Sequence, residues 1–155
     1  MYRDLRCLLA SLDYRFLHVT KKVPGDFGEF RVAEAVRTPT EIVRHLCDLV
    51  ALIQRQFGDE QGAAPPAEFE EECMRFRASL RRLDSCLADG QALEPVRPEL
   101  GLDGLLRGPV SDAFTHIGQL AMLRRLAGLP VESVRYWQVE MPAPGAGRDS
   151  DDHLD

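Results

Sequence analysis

The sequence predicts an all-α protein, a four-helix bundle, and three observations lead there. Four segments carry apolar residues at the three-and-four spacing of an amphipathic helix. No segment alternates apolar and polar residues as a half-buried strand does. Pro- and Gly-rich stretches, which stop helices, separate the four. Helices with one apolar stripe each and no sheet to pack on bury those stripes against one another.

The first helix is expected over Tyr2–Lys21, where Leu5, Leu8, Leu9, Leu12, Phe16 and Val19 recur at helical spacing before Pro24-Gly25. A long connection, Val23–Arg37, follows, with Phe27, Phe30 and Val32 apolar enough to pin it to the bundle. Connections of this length in small domains often shape a binding site. Thr38-Pro39-Thr40-Glu41 then places Thr at the N-cap, Pro at the first helical position and Glu at the third, a strong start signal. The second helix carries Ile42, Leu46, Leu49 and Ile53 on one stripe and fades at Phe57-Gly58. After Gly62-Ala63-Ala64-Pro65-Pro66, a third helix runs from about Ala67 to Ala88, with Phe69, Cys73, Phe76, Leu80, Leu83 and Leu87 in its stripe; Asp89-Gly90 ends it. A Pro-containing link, Leu93–Pro98, leads to a fourth helix over about Pro109–Ala127, with a turn before it at Leu102–Arg107. Its apolar residues are Ala113, Phe114, Ile117, Leu120, Ala121 and Leu126, and Gly128 and Pro130 terminate it. Residues 1–140 therefore read as one bundle domain and 141–155, rich in Pro, Gly and acids, as a mobile tail.

The chain has 155 residues, enough to bury a core without staples. Its net charge of −6 argues against nucleic acid, whose phosphates demand a surplus of Lys and Arg. The arginines are interspersed with acids and read as solvated helix faces. No apolar run reaches the length of a membrane span, and the polar start Met1–Arg6 does not look like a signal peptide. Cys7, Cys47, Cys73 and Cys86 lie in no Cys-x-x-Cys pair; they read as small buried hydrophobes in a reducing cytoplasm.

Chemistry is concentrated in few residues. His45 lies beside the second helix's apolar stripe, where a ring must find a partner: a carbonyl, a carboxylate or an ion. His116 stands among Ala113, Phe114, Ile117 and Leu120, and Asp112 precedes it by four, so carboxylate and imidazole project from one helix face. Asp112 has three readings: metal ligand, helix cap near the start of the fourth helix, or simple partner of His116. Two histidines and a carboxylate would leave coordination positions open for water or substrate, with the metal-bound water as nucleophile or base and no protein residue identified as catalytic. Gln119 could serve as a supporting donor behind the ligands. Arg124 and Arg125 are expected to face solvent or a partner subunit, His18 to act as a C-terminal helix cation, and His153, in the acidic tail, to play no part. Cys47 points away from His45 and is not proposed as a nucleophile. There is no phosphate-binding Gly loop, nucleophile elbow or His-Glu-x-x-His motif.

The stretch Thr115–Pro130, with His116, Gly118-Gln119, Leu123-Arg124 and Gly128-Leu129-Pro130, resembles the last bundle helix of the DinB/YfiT-like superfamily. Thr38–Leu49, with its Thr-Pro start and one inward histidine, resembles that family's second helix, and the likeness in helix count, order and length extends over about Met1–Trp137. The resemblance implies a metal site with one histidine from the second helix and a His-x-x-x-His pair from the fourth. His45 and His116 match; Asp112 stands where the middle histidine would be. It further implies a divalent metal (nickel, zinc, iron or manganese), a homodimer, and either a metal-dependent hydrolase or a thiol-dependent transferase acting on a small molecule. The alternative is a non-catalytic, dimeric, small-molecule-binding or stress-related bundle with a degenerate site. The region Val23–Arg37 and Tyr136-Trp137 are expected to wall the pocket.

Overall fold

The structure, a computed structural model, describes residues 2–60, 62, 64–88 and 100–142. It is all-α, with no strand among the described residues. Four long helices carry the core: α1 (Arg3–Thr20), α2 (Pro39–Gln56), α3 (Phe69–Ala88) and α5 (Ser111–Leu126), with a short α4 (Gly101–Leu105) ahead of the last. The Asp89-Gly90 stop, the Leu93–Pro98 link, His153 and all but the first two residues of the expected tail lie outside the described residues.

The stripes read from the sequence form the core. Leu5, Leu9, Leu12 and Phe16 of α1, Ile42, Leu46 and Ile53 of α2, Phe76, Leu80 and Leu83 of α3, and Ala113, Ile117 and Leu120 of α5 are all buried. Phe16 and Phe76 meet at its centre, their ring centroids 4.5 Å apart. Leu126 is exposed rather than part of the stripe, which continues instead through Leu123. The α2 start is as expected: Glu41 N–H donates to Thr38 Oγ1 at 3.2 Å and Thr38 N–H to a Glu41 carboxylate oxygen at 2.7 Å. That backbone bond from Thr38, with Arg31 nearby, holds the Glu41 carboxyl below its usual range.

α1 packs beside α3 and α5, and α2 beside the same two, so α1 and α2 face each other across the core. Directions follow from cross-helix pairs. Arg6 pairs with Asp84 and Arg77 with Asp13, which makes α1 and α3 antiparallel. Arg44 meets Glu72, and further along Gln54 donates to the Ser79 carbonyl, which makes α2 and α3 parallel. Arg15 lies over the Phe114 ring and, further along, Arg124 bonds to the Val19 and Lys21 carbonyls, which makes α1 and α5 parallel; α2 and α5 are therefore antiparallel, and His45 comes opposite the first turns of α5.

The last helix follows a kink. A π-helical turn, Leu106–Val110, joins α4 to α5, with a kink at Gly108 ahead of Pro109, whose missing N–H cannot serve a helical ladder. The connection between α1 and α2 packs through a 3₁₀ turn, Gly25–Glu29: Phe27 is buried edge-on to Phe69, and Gly28 runs so close that a Cβ there would lie 2.5 Å from Phe69 Cβ. Val32, expected to pin this segment, is exposed.

Several polar expectations are overturned. Arg124 does not face solvent. Its Nη1 donates to the carbonyls of Val19 and Lys21 at 3.1 and 3.0 Å, capping the C-terminus of α1, and burial lowers the guanidinium's pKa. His18 lies in the last turn of α1, as expected, but is buried: its Nε2 donates to the Glu132 carbonyl at 2.9 Å and ties down the segment after α5. Of the cysteines, Cys7 is exposed and the other three are intermediate, all four free. Burial pushes the Cys47 and Cys73 thiols up to about 12, so neither supplies thiolate at neutral pH. The arginines and acids are not simply solvated faces either. Asp13, Asp84 and Glu72 are buried, and each is held by an arginine of a neighbouring helix. Arg124→Met should lower stability by about 1.5–3 kcal/mol, since charge-assisted bonds to helix-end carbonyls are lost. Urea unfolding checks this, and a change below about 0.5 kcal/mol would contradict the capping role.

Candidate metal centre

His45 on α2 and Asp112 and His116 on α5 come together because the two helices pack side by side and antiparallel. One donor atom from each lies within 4.8 Å of the other two. His45 Nε2 is 3.6 Å from Asp112 Oδ2, and His116 Nε2 is 3.4 Å from Asp112 Oδ1, so each imidazole addresses its own oxygen of one carboxylate. The two rings meet edge to face, with centroids 4.6 Å apart. Their side chains grade from the core outward: His116 is 10% exposed, His45 30% and Asp112 47%.

Asp112 does not cap the helix. It lies in the first turn of α5, just past the kink at Gly108, as expected, but the start of α5 shows no side-chain capping bond. Among the described residues, the partners of the Asp112 carboxylate are the two histidines.

Gln119 fixes the inner ring. Its Oε1 lies 2.8 Å from His116 Nδ1. A carbonyl oxygen only accepts, so Nδ1 carries the hydrogen; Gln119 is an acceptor here, not the donor expected from sequence. The remaining nitrogen, Nε2, then points its lone pair at Asp112 Oδ1. A cation placed between these two acceptors, 3.4 Å apart, would satisfy both. The donor set suits a divalent ion. Imidazole and carboxylate bind zinc-like metals at about 2.0–2.2 Å, and with one donor atom from each residue within 4.8 Å of the other two, the three side chains lie close enough to share an ion. A group of His45, Asp112 and His116 could hold a metal ion, and it leaves positions for further ligands.

His45 also lines a cleft of about 440 Å³ between α2 and the connection, together with Arg31 and residues 34–37 of the connection and Glu41, Arg44 and Asp48 of α2. The connection thus walls the cleft, as its length suggested. Tyr136-Trp137 does not. Tyr136 stacks edge-on to Tyr14 under Arg15, and Trp137 is 82% exposed. The part of the charged lining that comes from the connection, Arg31, Glu34 and Arg37, has no helical periodicity and carried no sequence signal beyond that length.

No family model, no curated protein and no solved structure matches this chain. No helix among the described residues is long and apolar enough to cross a membrane.

Proposed function

We propose that this chain is a divalent-metal-dependent enzyme on a DinB/YfiT-like four-helix bundle, of the hydrolase or thiol-dependent transferase type, acting on a small molecule at the cleft beside His45. The observation that carries the proposal is the convergence of two imidazole nitrogens on the two oxygens of Asp112, with Gln119 already occupying the other nitrogen of His116. His45, Asp112 and His116 would hold the ion, with nickel, zinc, iron and manganese all compatible with two imidazoles and a carboxylate. What the ion supplies there is Lewis acidity, which brings the pKa of a coordinated water or thiol toward neutrality. The protein's own groups do the rest. Gln119 keeps the His116 lone pair aimed outward, Asp112 offsets positive charge, and the exposed edge of His45 gives access from the cleft. Neither Cys47, two residues from His45, nor Cys73 competes as nucleophile, because burial keeps both protonated.

A second reading is a non-catalytic bundle in which a proton takes the cation's place. It is favoured by the fact that both N···O separations are also ion-pair distances. Asp112→Asn separates the two. With Asp112 half-exposed and capping nothing, the substitution should change metal-free stability by less than about 1 kcal/mol. It should lower metal affinity by at least about tenfold, in the range reported for groups that support a metal site. Unfolding with and without chelator, alongside elemental analysis, measures both. Wild-type protein free of metal after metal-replete purification and dialysis would favour the proton.

A further inference from the structure

The cleft beside His45 is lined by six acidic and arginine side chains, three of which are already satisfied by the protein. Arg31 donates to the carbonyls of Glu34 and Val36 and to both oxygens of Glu41. Glu41 additionally takes the Thr38 amide. Arg44 is held by Glu72 and by the Ala67 carbonyl. Arg37 is different: it is exposed, lines the cleft, and makes no hydrogen bond or ion pair with any described residue. The carboxylates of Glu34 and Asp48 are likewise uncommitted among the described residues, and Asp48 sits one turn beyond His45.

A lone uncommitted guanidinium in a cleft of small-molecule size is a ready partner for a planar anion, because its paired N–H groups match the two oxygens of a carboxylate. The two free carboxylates in the same lining decide the charge of that anion. A phosphate dianion would face both of them, whereas a singly charged group is neutralised by Arg37 alone. We infer that the cleft takes a small molecule bearing one carboxylate, that Arg37 anchors this group, and that the molecule's other end reaches His45. The placement of that other end rests on the metal reading above; the anchoring does not.

The test uses two probes that differ only in charge, 3-mercaptopropionate and 3-mercaptopropionamide. They are titrated into cobalt(II)-loaded full-length protein and followed by thiolate-to-cobalt absorption. The acid should bind three- to tenfold more tightly than the amide, and Arg37→Gln should remove the preference while leaving the amide's affinity unchanged. Equal binding of both probes by the wild type, or an undiminished preference in R37Q, overturns the inference. A second arm needs no metal. The Arg37 Nε resonance of metal-free protein should shift with propionate and not with propionamide, and inorganic phosphate should compete no better than propionate. If cobalt does not bind, or the thiol does not reach it, this arm decides alone. A propionate-specific shift upholds the anchor while the metal reading falls. No shift, or stronger competition by phosphate, overturns the carboxylate assignment.

Discussion

His116→Ala is expected to reduce affinity for a divalent ion by a factor of about 10²–10³. Structural zinc sites bind with about 10–16 kcal/mol shared among their ligands, so one ligand is worth roughly 3–4 kcal/mol, and about 1.4 kcal/mol is tenfold in affinity. His116 is the ligand with most to lose, being the most buried of the three and the one whose tautomer is fixed by a neighbour. Gln119→Leu should produce a smaller loss, about 10–100-fold, because the nitrogen remains but its ring is no longer held in one tautomer. Competition against a chromophoric chelator gives both constants. The ordering wild type, Gln119→Leu, His116→Ala is the result to look for, and a His116→Ala protein within threefold of wild type would remove His116 from the site.

The second large effect lies away from the metal. Glu72 has no exposed side-chain surface; its carboxylate is bound by Arg44 at 3.1 Å, Arg75 at 3.0 Å and the Ala67 amide at 3.0 Å. Removing one partner from a buried ion pair costs about 3–5 kcal/mol when the charge left behind cannot be hydrated. Here the arginine side chains are 38% and 24% exposed and recover part of their hydration. Glu72→Ala should therefore cost about 2–3 kcal/mol, with an unchanged denaturant slope if the fold is retained. Asp103→Asn is the control: its pair with Arg107 is almost fully solvated, so the change should stay within about 0.5 kcal/mol. Equal effects from the two substitutions would mean that burial of Glu72 contributes nothing.

What could be read in the sequence was local. The α2 capping box depends on residues three apart, and the apolar stripes of α1, α2 and α3 on spacings of three and four, so these elements lie within a few residues of where periodicity places them. Asp112 and His116 were legible as a pair because one helix presents both. What was not legible depends on which helix face meets which. Asp13, Asp84 and Glu72 look like ordinary surface acids until α1, α2 and α3 are packed and their partners arrive from 28 to 78 residues away. Arg124 looked solvated for the same reason: its acceptors are carbonyls more than a hundred residues earlier. Gly108-Pro109, a sensible helix start by composition, does mark a break, since the backbone kinks at Gly108 and Asp112 falls in the first turn of α5; only the side-chain capping bond is missing, because the Asp112 carboxylate turns to the two histidines instead.

The measurement that bears most directly on the metal centre is anomalous scattering from crystals of protein purified with its metal, collected on both sides of the absorption edge identified by elemental analysis. The expected result is a single strong peak per chain within bonding distance of His45 Nε2, His116 Nε2 and the Asp112 carboxylate, lost in His45→Ala crystals. A metal-replete preparation with no peak between these three side chains, or with its peak elsewhere, would contradict it.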